Sequence, residues 1–170
     1  QAAYQAREIE ETVAIGKYAG FQTMATLNGR LNLIGLSVGR YASGIDYISA
    51  IGTNAAEELR NSEYSNLIGN YAGHDASGID RVFAVGQLAA DRAQTMTYTN
   101  VIGTQAGAQA TGISYSNAMG HNTLLTATGV AHGSFMGSYA GTLSSGTNYA
   151  ISMGYQAGYY HHNANRNIQI

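Results

Sequence analysis

The chain has no cysteine and no proline among its 170 residues. Without cysteine, disulfides cannot supply its stability. That fits an exposed particle assembled without oxidation, and equally a reduced cytosolic protein. Without proline, every residue can donate to a backbone ladder, which suits a chain that is paired along most of its length. Charge is missing from one region: between Ala93 and Asn165 there is no Lys, Arg, Asp or Glu. The net charge of −2 gives no electrostatic case for nucleic acid or an anionic membrane as a partner. No apolar run reaches the roughly 18 residues of a bilayer-crossing helix, so no membrane insertion is expected. There is no secretory leader and no initiating Met, which reads as a processed chain or an excised piece.

What the chain has in quantity is glycine, 22 residues, and its placement is regular. Gly16, Gly35, Gly52, Gly69, Gly86, Gly103, Gly120, Gly137 and Gly154 are separated by 19 residues once and by 17 thereafter. A fixed period of this size marks a repeat architecture. The residue before each marker glycine is aliphatic or Met, from Ile15 and Ile34 to Met136 and Met153. A small residue follows three places later (Ala19, Val38, Ala55, Ala72), and a second glycine often comes next (Gly20, Gly39, Gly73, Gly107, Gly141, Gly158). Two residues before the marker, large and small alternate: Leu33, Ala50, Leu67, Ala84, Val101, Ala118, Phe135. Such alternation interdigitates in a stack and fills a narrow core. The large-residue units share a turn word, as in Ala76-Ser77-Gly78-Ile79, so the structural unit reads as a 34-residue pair of coils.

Two glycines per unit weaken a helix by about 1 kcal/mol each, and 17 residues are too few for a helical pair. The unit fits short strands joined by tight turns. The expected fold is all-β: a repetitive parallel β-roll or β-helix of 17-residue coils over residues 13–170. Coils stacked about 4.8 Å apart would make a rod roughly 40 Å long. The first residues differ. Ala2, Ala6, Ile9 and Val13 follow heptad-like spacing, so residues 1–12 read as a short helical collar or stalk end. The core is thin and its ends are open, which argues for self-association; the preferred form is a homotrimer of parallel copies.

Charges in the earlier coils fall into columns. Arg40, Glu57, His74 and Asp91 share one equivalent position and alternate in character; Asp46, Glu63 and Asp80 share another and do not. The acidic column is open to solvation, to a neighbouring chain's arginines or to a cation. Tyr47, Tyr64, Tyr98, Tyr115 and Tyr149 also share a position, interrupted by Arg81 and His132. A stacked ladder is preferred there over a row of rings offered to a receptor. The asparagines three before the marker (Asn32, Asn66, Asn100, Asn117) read as turn residues bonding backbone.

An enzyme needs chemistry that this chain does not spell. Polysaccharide cleavage uses paired carboxylates, and the uncharged half has none. A Gly-x-Ser-x-Gly elbow and a phosphate-binding loop are both missing. No catalysis, cofactor or metal is expected. The densest aromatic and imidazole cluster is Tyr159, Tyr160, His161 and His162, the candidate receptor-facing residues. Sugar rings stack on such faces; two adjacent histidines alone are a weak metal signal.

The words themselves resemble a family. Asn66-Leu67-Ile68-Gly69-Asn70-Tyr71-Ala72-Gly73 and Asn100-Val101-Ile102-Gly103-Thr104-Gln105-Ala106-Gly107 look like the Asn-x-x-Ile-Gly-x-x-Ala-Gly repeats of bacteriophage tail fibres and tailspikes. They are also similar to the head repeats of bacterial trimeric autotransporter adhesins, whose units are shorter and whose neck motif this chain lacks. The resemblance covers Glu11 to Ile170 and implies a homotrimeric shaft on a virion tail, outside the cell. Its implied partners are other virion tail proteins and a host surface glycan or protein receptor. The alternatives are a bacterial cell-surface adhesin head and the non-catalytic shaft of a capsule depolymerase. The repeat fixes no ligand residues.

Overall fold

The computed structural model describes residues 12–20, 29–40, 43, 44, 46–109, 111–160, 162, 163 and 165–170. The described residues are all-β and form no helix. Ten strands stack in chain order into one parallel sheet: Thr12–Ile15, Leu31–Ile34, Ile48–Ile51, Asn66–Ile68, Phe83–Val85, Asn100–Ile102, Asn117–Met119, Ser134–Met136, Asn148–Met153 and Asn165–Gln169. The chain is a β-solenoid. Register repeats the sequence period, with Leu67 beside Ala84 and Ala84 beside Val101. The first pair is the exception: Thr12 lies beside Leu31, so the two extra residues of that unit fall between Gly20 and Arg30. The helical collar expected over 1–12 lies outside the described residues except at Thr12, which opens the first strand.

The second side of each coil is less regular. Ile79–Asp80, Met96–Thr97 and Ile113–Ser114 form a three-stranded parallel sheet, and single bridges such as Ser114 to Ala131 carry it onward. The third side is a turn that still pairs between coils. In the coil after Gly86, Leu88, Ala90 and Arg92 all have left-handed φ, of 57°, 56° and 57°. Their N–H groups donate alternately back and forward along the stack, to Asn70, Ala106 and His74 carbonyls at 2.9, 2.9 and 2.6 Å. Left-handed backbone costs an ordinary residue roughly 1–2 kcal/mol. Here it lets each N–H find a carbonyl on a neighbouring coil and so avoids burying unpaired polar backbone.

The marker glycines are fixed by close approach. Gly69 has φ +139°, and a Cβ there would stand 2.3 Å from the Gly86 carbonyl oxygen. The next glycine column has a different cause. A Cβ on Gly73 would meet the Leu67 methyls at 2.7 and 2.9 Å, and one on Gly141 would meet the Phe135 ring at 2.3 Å. In three inner coils the core residue is alanine and the glycine is replaced: Ala50 goes with Ala56, Ala84 with Ala90 and Ala118 with Leu124, whereas the end coils pair Ala14 with Gly20 and Ser152 with Gly158. Ala56, Ala90 and Leu124 hold the same left-handed backbone, at 56°, 56° and 53°. So from Leu33 to Phe135 the alternation of large and small residues is compensated within the coil, across the core, to keep its volume near constant. Phe135 needs room on two sides, since a Cβ on Gly133 would also strike its ring.

The remaining core is columns of small apolar residues and short hydroxyls. Ser62, Ser65, Thr99 and Ser116 are fully buried and donate to the carbonyl two residues earlier, at 2.9 to 3.0 Å. Those bonds let a polar side chain sit in a core this narrow.

Candidate functional site

In a strand, alternate side chains face opposite sides. With Leu67 wholly buried, Asn66 and Ile68 must both point outward. Repeated over the sheet, this sets two exposed columns side by side. One holds Ile34, Ile51, Ile68, Ile102, Met119, Met136 and Met153, each 36–43 % exposed. The other holds Asn32, Asn66, Asn100 and Asn117, with Phe83 and Ile151 among them. Neither column carries a charge between Asn32 and Met153. The asparagines therefore lie on strands, not in turns as their residue type suggested. Asn100 Nδ2 donates to Asn117 Oδ1 at 2.8 Å, so the amide bonds the next coil's side chain. This face went unremarked in the sequence reading. The signal for it was the Asn-Leu-Ile word itself, whose first and third residues share a side.

Beside this face runs the aromatic column, at the strand's leading edge. Tyr47 and Tyr64 stack at 5.0 Å, and Tyr98, Tyr115, His132 and Tyr149 stack at 5.1, 5.1 and 4.9 Å, nearly parallel. Arg81 bridges the two runs, its guanidinium 5.5 Å from the Tyr64 ring and 4.6 Å from Tyr98, and it also donates to the Tyr98 hydroxyl. Arg30 covers Tyr47 at 4.8 Å. Neighbours cover the ring faces inside each stacked run, so only edges are offered there to a ligand. The stacked ladder expected from the sequence is present. Each ring pair adds about 0.5–1.5 kcal/mol beyond burial. Tyr115→Ala removes two such pairs, and we expect it to cost about 2 kcal/mol. Tyr115→Phe should leave the thermal midpoint nearly unchanged.

Between the ladder and the asparagine column lies an open groove of about 470 Å³, lined by Arg30, Asn32, Tyr47, Ser49 and Asn66 over Leu31 and Ile48. On the turn side, the mixed-charge column is an ion-pair ladder. Arg40 Nη1 meets Glu57 Oε1 at 3.2 Å, and His74 Nδ1 meets Asp91 Oδ1 at 3.2 Å, with Glu57 Oε2 3.9 Å from His74 Nε2. Burial pushes the Asp91 carboxyl above its ordinary value, against the pull of His74 and Arg92. Asp46, Glu63 and Asp80 are neighbours on adjacent coils, and Asp80 leans on Arg81 at 3.7 Å. Among the described residues no three potential metal ligands converge.

The candidate receptor-facing residues are only partly brought together. Tyr159 and Tyr160 meet edge to face at 4.4 Å, and Tyr160 is exposed. Burial, followed by Tyr160, raises the Tyr159 hydroxyl above the usual phenol value. His162 lies in a different line, where its Nδ1 is 2.7 Å from Ser145 Oγ. His161 is outside the described residues. A second aromatic group that the sequence did not single out runs His121, Tyr139, Tyr155, with rings edge to face at 5.6 and 6.0 Å.

Fold and surface thus define a parallel β-solenoid with one flat, uncharged, apolar face. No protein-family model, curated protein or solved structure matches the chain.

Proposed function

We propose that this chain is a segment of a homotrimeric bacteriophage tail fibre or spike, a rigid shaft that holds a receptor-binding part against the host surface. The observation that supports it is the exposed apolar column from Ile34 to Met153. Contiguous apolar surface of that length marks an interaction face, and three parallel copies turned about one axis would bury it in a closed cyclic assembly. The role is mechanical. The stacked backbone ladder and ring column supply stiffness, and the Asn-x-x-Ile-Gly-x-x-Ala-Gly words resemble those of phage fibres. Attachment to other virion proteins lies at one end; a host glycan or protein lies beyond the other.

Native mass measurement should return three chains per particle, and a stable monomer would defeat the assembly. The gene's full reading frame tests the setting. A virion-anchoring domain ahead of the repeats supports the proposal; a secretion signal with a C-terminal membrane anchor would make the chain a bacterial adhesin instead.

A further inference from the structure

The two positions after each marker glycine tolerate many residue types. In the coils from Gly35 to Gly103 they carry one ring, Tyr71, among Leu, Ser, Thr, Asn and Gln. Those coils close all the same, so the fold does not require aromatics at this corner. After Gly120, Gly137 and Gly154 the pair becomes His121-Asn122, Ser138-Tyr139 and Tyr155-Gln156. Ring and hydrogen-bonding group now alternate both along the axis and around the coil, as on a chequerboard. The rings of His121, Tyr139 and Tyr155 meet edge to face, at 5.6 and 6.0 Å. That arrangement differs from the stacked ladder, whose ring faces are covered, and it leaves Tyr155 70 % exposed. The backbone beneath is held. Tyr139 N–H donates to the His121 carbonyl at 2.9 Å, and Gln156 N–H to the Ser138 carbonyl at 3.0 Å, so the corner is ordered before any ligand arrives.

We infer that this corner binds an uncharged saccharide, seated on the Tyr155 ring beside Tyr139 and His121, with Ser138 and Gln156 bonding its hydroxyls. A sugar presents C–H groups on its ring faces and hydroxyls around its rim. It therefore needs what the chequerboard alternates. Tyrosine supplies a rigid apolar surface with a polar tip. The Gln156 amide and the Ser138 hydroxyl each both donate and accept hydrogen bonds, as a sugar hydroxyl does, and so does a neutral imidazole. Charge narrows the choice further. Lys, Arg, Asp and Glu are absent from Ala93 to Asn165, so an ionised ligand finds no fixed opposite charge at this corner. Three coils at about 4.8 Å spacing span about 10 Å, room for two linked sugar rings. The site lies past the marker glycines, off the column from Ile34 to Met153. It goes beyond the shaft role proposed above and does not depend on how many chains assemble.

Saturation-transfer nuclear magnetic resonance on the full chain tests this, with dextran, laminarin, mannan and chitin oligomers as neutral probes and heparin fragments as the anionic one. The protein should transfer saturation to at least one neutral oligomer and to no heparin fragment. Tyr155→Ala should weaken that binding about tenfold, the loss of one aromatic contact, and leave the thermal midpoint in place because the ring is exposed. Tyr155→Phe should bind as the parent does, and Gln156→Ala should bind less. Binding to no neutral oligomer, preference for heparin, or full binding by Tyr155→Ala would each overturn the site. The two proposals fail separately. A trimer that binds no neutral oligomer removes the site and leaves the shaft; a monomer that binds one does the reverse.

Discussion

Gly69→Val is expected to abolish cooperative unfolding of the central coils, or to lower stability by about 4 kcal/mol or more, from combined backbone strain and overpacking. The glycine sits at φ +139°, and its missing Cβ leaves space into which the Gly86 carbonyl already projects, 2.3 Å from where that carbon would lie. The obstacle is backbone, and that backbone is itself held by Gly86 N–H donating to the Ile68 carbonyl at 2.9 Å. It cannot rotate aside. Gly129 supplies the control. It has φ +60° with nothing within 4 Å of its Cβ position, so Gly129→Ala should cost only about 1 kcal/mol, the left-handed penalty alone. Denaturant titration of the two variants reads both values, and equal costs would refute the close-approach assignment.

The second large effect is a coupling. Leu67→Ala should cost about 3 kcal/mol as a core truncation, and Gly73→Ala about 2 kcal/mol as overpacking against the Leu67 methyls. Together they rebuild the pair that Ala84 and Ala90 form in the next coil. The clash exists only while Leu67 is present, so the double variant should be at least about 1 kcal/mol more stable than the sum of the singles. Strict additivity in the cycle would show that the two columns do not share space.

Much of this stack was legible because its cause is periodic. Equal spacing of the marker glycines required equivalent backbone positions, and alternation of Leu33, Ala50 and Leu67 placed that column inside. The aromatic ladder followed from shared position alone. Other parts had no readable signal. Tyr47, Tyr64, Tyr98 and Tyr115 all hold left-handed φ, between 43° and 51°. Nothing in a tyrosine side chain prefers that backbone; stacking between coils imposes it. The turn after each marker was hidden for the same reason, since Leu88 and Arg92 are poor left-handed residues on their own. The reason for Gly39, Gly73, Gly107 and Gly141 lay six residues upstream, in the size of a core side chain. The outward isoleucines were visible in the sequence, but aliphatic residues in a thin-cored chain read first as core. The asparagines were misplaced because turn preference is a property of isolated segments, and here a strand partner offered the amide a side chain to bond.

The central claim is that every 17 residues complete one lap lying flat on the last, with the Ile68 side of the sheet closed by other copies. A cryo-electron microscopy map of the assembled protein at side-chain resolution tests it most directly. The account predicts three chains in parallel, layers about 4.8 Å apart along one axis, and Ile34 through Met153 facing that axis. Antiparallel hairpins, bundled helices, or that row of side chains turned to solvent would contradict it.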